Sequence, residues 1–183
     1  IADRFGEELR IWLSASMCGL VAEAIAVVRV NESPCVLARW MQNGDLAHAL
    51  ARFTPQQKVE TAVRIVRCLS WAHEKLGVIH RDLKPANVLL DEADLAYVAD
   101  WGLARPVGLA RAAVAATLAP GAAQRPNLTQ VGAFVGTVTY AAPEQILGSP
   151  KIDHRADIYS LGCMLFEFEA GHPPFEGATA TVV

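Results

Sequence analysis

Long uncharged apolar runs are missing from this 183-residue sequence. No stretch of about 18 such residues occurs, so no membrane-spanning helix lies within it. A dense basic run is missing too. The 16 Lys and Arg are scattered among 19 Asp and Glu, and a formal charge of −3 gives no sign of nucleic-acid binding. No two of the four cysteines, Cys18, Cys35, Cys68 and Cys163, stand at Cys-x-x-Cys spacing, so neither a zinc site nor a redox motif is indicated. Their small or apolar neighbours predict buried free thiols, which suit a reducing, cytoplasmic setting. No secretory leader pattern and no internal repeat is visible. The chain opens on Ile1 rather than Met and stops at Val183 without a polar tail, and the expectation is a domain truncated at both ends, from a parent that could be anchored to a membrane elsewhere.

What is present is enough for a core. Apolar residues make up 52% of the chain, and its length allows one domain or a large part of one. Ala2 to Ala15 reads as a helix with Phe5, Leu9, Trp12 and Leu13 as apolar positions. Ala24 to Val30 and Cys35 to Met41 are strand-length apolar runs joined by the turn residues Asn31-Glu32-Ser33-Pro34, which predicts a hairpin. A short helix follows at Leu46 to Arg52. Thr54-Pro55-Gln56-Gln57 is a helix start, with a hydroxyl cap, a first-turn proline and a glutamine three residues after the cap. That helix shows one broad apolar face, Val59, Ala62, Val63, Ile65, Val66, Leu69 and Ala72, and ends near Gly77. Val78-Ile79, Val88 to Leu90 and Ala96 to Ala99 read as short strands. Residues 106–126, rich in Ala and broken by Pro and Gly, read as a loop. Asp157 to Ala170 is apolar almost all round, which predicts a buried central helix ended by Gly171.

One stretch carries chemistry. His80-Arg81-Asp82-Leu83-Lys84-Pro85-Ala86-Asn87 leads into the apolar Val88-Leu89-Leu90, and Asp100-Trp101-Gly102 follows. An acid, a cation, an amide and a second acid recur at fixed offsets with a strand between them. Such a set can hold a metal-bound polyphosphate beside a hydroxyl. A charged turn before a buried strand would explain Asp-Leu-Lys-Pro alone, but not the whole string.

These motifs resemble the eukaryotic-type (Hanks-type) serine/threonine protein kinases and their bacterial members, over essentially the whole chain. His80 to Asn87 resembles the catalytic loop, and Asp100-Trp101-Gly102 the Asp-Phe-Gly metal motif with Trp for Phe. Gly136-Thr137-Val138-Thr139-Tyr140 with Ala142-Pro143-Glu144 resembles the substrate-positioning loop and the Ala-Pro-Glu motif. Asp157 to Gly162 resembles the start of the central helix of the large lobe.

The resemblance implies an α+β kinase-like fold. A partial β-rich small lobe would span 1–37, a hinge 38–45, and a mainly helical large lobe 46–183. It implies that Asp82 is the base for a substrate hydroxyl, that Lys84 neutralises the γ-phosphate of ATP, and that Asn87 and Asp100 ligate Mg²⁺ or Mn²⁺. Ala38 falls at the gatekeeper place. Arg39 and Met41 would meet adenine through their backbones, Asp45 the ribose, and Leu89 the adenine ring from below. Glu8 resembles the ion-pair glutamate of the regulatory helix. Arg81 implies control by loop phosphorylation, with Thr129 as the modified residue, and Thr137 would bond near Asp82 and Lys84. His80 and Trp101 would be structural, and the Trp101 indole N–H would then need a partner. Asp157 would cap the catalytic-loop backbone.

The pattern has a gap. No Gly-rich phosphate loop and no Val-Ala-Ile-Lys strand occurs in residues 1–183, so the segment alone is expected to bind ATP weakly or not at all. The rival reading is a pseudokinase or inactive fragment serving as a binding or scaffold module. Protein substrates with Ser or Thr and ATP are the partners the resemblance implies.

Overall fold

A computed structural model describes residues 2–31, 33–101, 105–106 and 138–175. Helix α1 (Ala2–Ser16) leads to the hairpin β1 (Ala24–Val30) and β2 (Ser33–Ala38). Next come α2 (Leu46–Ala49), which tightens into a 3₁₀ turn at Leu50–Arg52, and α3 (Pro55–Trp71). Three short strands, β3 (Val78–Ile79), β4 (Val88–Leu90) and β5 (Ala96–Val98), follow, then β6 (Arg105–Pro106), α4 (Pro143–Ile146) and α5 (Arg155–Ala170). Helix and strand are mixed as expected, and the strands form three separate antiparallel pairs, β1–β2, β3–β6 and β4–β5.

Local sequence explains most boundaries. Thr54 caps α3: its Oγ1 accepts from Gln57 N–H at 3.3 Å, and Gln57 Oε1 accepts from Thr54 N–H at 3.0 Å. Past Trp71 the helix widens into a π turn at Ala72–Leu76, and Gly77 ends it with φ +62°, a left-handed conformation that costs glycine little. The β1–β2 turn is tighter than the sequence suggests. Val30 pairs with Ser33, so Ser33 and Pro34 join the strand, and β2 stops at Ala38 rather than Met41, where its register against β1 ends at Ala24.

The core gathers Ile11 and Ala15 of α1, Leu46, Ile65, Leu69, Val88, Leu90, Trp101, Met164 and Phe168. Two expected faces are only partly buried. On α3 and the π turn after it, Ile65, Leu69 and Ala72 are inside while Val59, Val63 and Val66 are exposed. On α5, Leu161, Met164 and Phe168 are inside while Ile158, Leu165 and Phe166 are exposed, so this helix is not buried all round among the described residues. Apolar residues spread over more than one face of each helix, and the core that these elements build reaches only one.

Candidate active site

The polar motif occupies the loop between β3 and β4, and α5 positions its entry. The carboxylate of Asp157, fully buried in the first turn of α5, accepts from His80 N–H at 2.9 Å and from Arg81 N–H at 2.8 Å. Its third partner is Nε2 of His73, at 2.7 Å, on the π turn after α3. Burial pushes this carboxyl up. The His73 bond, the proximity of His80 and the two backbone donors outweigh burial and leave it below the usual carboxylate range. Arg81 sits at φ +71°, a left-handed bend that an L side chain adopts only when its surroundings hold it, and here both Asp157 and Gln145 hold it.

His80 is structural, as its setting predicts. It is fully buried; its Nδ1 accepts from Asp82 N–H at 3.3 Å, which makes Nε2 the donor to Ala99 C=O at 2.9 Å. Its ring meets Trp101 edge-on, with centroids 4.8 Å apart. Trp101 fills an apolar slot, but the expected partner for its indole N–H is not there. Nε1 is buried without a hydrogen bond among the described residues.

The loop then assembles a cluster. Lys84 Nζ donates to Asp82 Oδ2 at 2.8 Å. Asn87 Nδ2 donates to the same oxygen at 3.0 Å and to Asp82 C=O at 2.8 Å, closing the five-residue loop on itself. Asn87 is buried, whereas the Asp82 and Lys84 side chains keep 17% and 20% exposure, so the cluster is closed at Asn87 and partly open at Asp82 and Lys84. Strand pairing brings Asp100 alongside. Val88 pairs with Val98, Ala99 N–H donates to Asn87 C=O at 2.8 Å, and Asp100 comes next, exposed and at φ +59°.

The 38–45 segment runs along the same strand. Leu90 N–H donates to Gly44 C=O at 2.8 Å, and Asn43 N–H to Leu90 C=O at 3.2 Å. Ala38, half-buried, is the last residue of β2; Arg39 is exposed, and its N–H donates to Glu23 C=O at 2.9 Å. Met41 is buried with Ala22 and Ala99, and Leu89 packs against the three. Asp45 caps α2 by accepting from His48 N–H at 3.0 Å, and its Oδ1 lies 2.8 Å from His48 Nδ1. Glu8 belongs to α1, but its side chain lies outside the described residues, as do Thr129, Thr137 and the 107–126 part of the expected loop.

Several supporting residues are not apparent in the motif itself. Gln145 bridges two motifs: its Oε1 accepts from Ala142 N–H at 3.0 Å, and its Nε2 donates to Arg81 C=O at 2.7 Å. Its place three residues after Ala142, in the first turn of a helix that starts on Pro143, is the signal that could have marked it. Tyr140 donates to Glu167 at 2.6 Å, and its C=O accepts from Ser160 Oγ at 2.7 Å, which ties this turn to α5. Burial and the Glu167 carboxylate both push the Tyr140 phenol up, so it stays protonated as donor. Asp91 closes the β4–β5 turn by accepting from Ala93 and Leu95 N–H, each at 2.9 Å. Its carboxylate follows Leu90 directly, a turn signal beside a strand.

Comparison with known proteins adds the family. A family model described as "Protein kinase domain" matches residues 2–182. The chain is 36% identical over 133 residues to the serine/threonine-protein kinase PknB of Mycobacterium leprae, which covers 73% of this chain and 19% of that protein. It is 35% identical over 139 residues to PknB of Mycolicibacterium smegmatis, covering 76% of this chain and 20% of the other. A probable serine/threonine-protein kinase of Streptomyces coelicolor is 34% identical over 139 residues, covering 76% of this chain and 18% of its own. The matched segment thus spans about a fifth of the length of these relatives.

Proposed function

This chain belongs to the protein kinase family, and from that premise we propose that it serves transfer of the γ-phosphoryl group of ATP to a serine or threonine hydroxyl of a protein. The observation that carries the proposal is the Asp82–Lys84–Asn87 cluster, with Asp100 following Ala99, whose N–H bonds Asn87 C=O. Both side-chain bonds to Asp82 fall on Oδ2, so Oδ1 is the oxygen that a hydroxyl proton meets. Lys84, with its ammonium at the open side of the cluster, faces the transferred phosphate. Such a reaction asks for positioning and charge neutralisation more than for covalent help.

The donor set suits a hard divalent cation. Asn87 spends its NH₂ on Asp82 and keeps its amide oxygen, and the Asp100 carboxylate is exposed. Mg²⁺ or Mn²⁺ held by these two oxygens would neutralise phosphate charge. Among the described residues no three His, Cys, Asp or Glu side chains come together, so phosphate oxygens would complete the shell.

The remaining assignments follow the same reading. Ala38, the Arg39 and Met41 backbones and Leu89 form the adenine side, with Asp45 at the ribose. Residues 1–37 belong to a small lobe, 38–45 to the hinge and 46–183 to the large lobe. Glu8, Arg81, Thr129 and Thr137 regulate or orient the site. A scaffold module has no chemical need for Asp82, Lys84, Asn87 and Asp100 together. No helix among the described residues is long and apolar enough to cross a membrane.

The test is phosphotransfer to a Ser/Thr peptide by the longer protein that contains this chain. Asp82→Asn is expected to lower kcat by about 10²–10⁴-fold. Activity equal to the unsubstituted protein would overturn the assignment of the base. Because residues 1–183 contain neither a Gly-rich loop nor a Val-Ala-Ile-Lys strand, a Mg-ATP titration of the segment alone should give far weaker binding than the longer protein.

A further inference from the structure

Asp94 is the hub of a polar triad outside the Asp82–Lys84–Asn87 cluster. It sits in the β4–β5 turn at φ +59°, a left-handed position that Asp tolerates better than most L residues. Arg52, at the end of the 3₁₀ turn after α2, grips its carboxylate with two bonds: Nη1 donates to Oδ2 at 2.6 Å and Nη2 to Oδ1 at 2.7 Å. Asn43 Nδ2 adds a third, to Oδ1 at 2.7 Å. The Arg52 guanidinium also lies over the ring of buried Phe53, 5.4 Å from its centroid, which orients it. Residues 42 and 51 positions before Asp94 thus meet on one carboxylate.

A lone exposed ion pair contributes little, because water screens it and two side chains must be ordered to make it. This pair is bidentate, shares its carboxylate with a third donor, and stands on a turn that is itself pinned. Asp94 N–H donates to Asp91 C=O at 3.0 Å, and Asp91 N–H to Leu95 C=O at 3.2 Å. What the triad grips gives it a use. Asn43 lies midway between Met41 and Asp45, and its backbone already bonds Leu90 of β4. Asp45 caps α2, and Arg52 ends the turn that α2 runs into. The 41–45 segment is therefore fastened to the β4–β5 hairpin directly through Asn43 and indirectly through Arg52.

We propose that Asp94 is a positioning residue for nucleotide binding, which through Asn43 and Arg52 sets the 41–45 segment in place before ATP arrives. The proposal rests on the reading above that residues 38–45 hold the adenine and ribose of ATP. A segment already fixed loses less conformational freedom on binding than a loose one, so the triad acts on affinity. It includes none of Asp82, Lys84, Asn87 and Asp100, so the rate of the bound complex does not depend on it.

Asp94→Gly is the informative substitution. It removes the carboxylate and leaves the left-handed turn to the residue that adopts it at least cost. In the longer protein that contains this chain, D94G should raise KM for ATP about fivefold, while kcat at saturating ATP and KM for a Ser/Thr peptide stay within about twofold. R52Q should raise KM for ATP in the same direction. D94N keeps an acceptor for Asn43 and a residue suited to the turn, so it should fall between D94G and the unsubstituted protein. The Kd for ADP should rise by the same factor with and without Mg²⁺, because the triad acts on the adenine side.

An unchanged KM for ATP in D94G and R52Q would overturn the proposal. So would a fall in kcat with equal rises in both KM values, the pattern of a merely structural residue. A Kd for ADP that rises only when Mg²⁺ is present would overturn it as well, since the effect would then lie on the metal side. An unsubstituted protein that binds Mg-ATP but transfers no phosphate would overturn the kinase reading, and Kd for ATP in the same variants would then decide the triad by itself. Absence of ATP binding in the unsubstituted protein would overturn both.

Discussion

Asp157 bears on the catalytic loop more heavily than Asp82 does, and the two should separate cleanly in experiment. Asp157 is buried and accepts two backbone N–H bonds and the His73 bond. Asp157→Asn replaces a charged acceptor with an amide that can accept on one atom only. The expected loss is about 3 kcal/mol, read from urea unfolding. Because the folded-state carboxyl is held below its ordinary value of 3.8, its stabilisation is fully present above that pH. It is lost as pH falls through the folded value. The unsubstituted protein should therefore lose stability below about pH 4 more steeply than Asp157→Asn, as acid titration of the unfolding midpoint will show. Asp82 is different. Its ion pair with Lys84 is partly exposed and screened, so Asp82→Asn should shift stability by under about 1 kcal/mol while removing most phosphotransfer. Trp101 is legible only in part. An apolar slot could be expected from the motif, but an orphaned indole N–H depends on which atoms surround it. Since Phe lacks that donor, Trp101→Phe should cost under about 1.5 kcal/mol in thermal unfolding, despite the smaller ring.

At the scale of elements, what was readable was local. The capping box of α3 is written in Thr54 and Gln57, and both of its backbone bonds form. Thr54→Ala should therefore cost about 1 kcal/mol, measured by chemical denaturation. The β2 boundary was harder. Asn31 to Pro34 all favour turns, yet the register pairs Val30 with Ser33, and only the partner strand decides that. Gln145 was missed for a related reason. Its two partners, Ala142 and Arg81, are three and sixty-four residues away, and only the nearer one leaves a trace in the sequence. Gln145→Ala should loosen α4 from the catalytic loop. Faster amide exchange at α4 and at Arg81, with little change in α3, is the expected result; unchanged exchange at α4 would count against the link.

For the whole molecule, the exposed apolar faces matter most. Val59, Val63 and Val66 of α3, Ile158, Leu165 and Phe166 of α5, and Ile25, Val27 and Leu37 of the hairpin are all exposed. Exposed apolar side chains in such number favour association. Residues 1–183 in isolation should self-associate in sedimentation velocity, and Val63→Glu with Phe166→Glu should reduce it. A monomer at about tens of micromolar would count against exposed apolar faces as a driver of association.

The order of motifs, and with it the family, was already determined by the residue string from His80 to Asn87 with Asp100 and Ala142-Pro143-Glu144 behind it. Spacing along one loop and one hairpin is enough to specify that chemistry, because those residues are brought together by short-range backbone geometry. The tertiary structure decided the rest. It selected one apolar face of α3 and of α5 for the core, and it set Asp157 under the backbone of a loop 76 residues away. Packing between distant elements is set by the whole core at once, and no short window of sequence contains it.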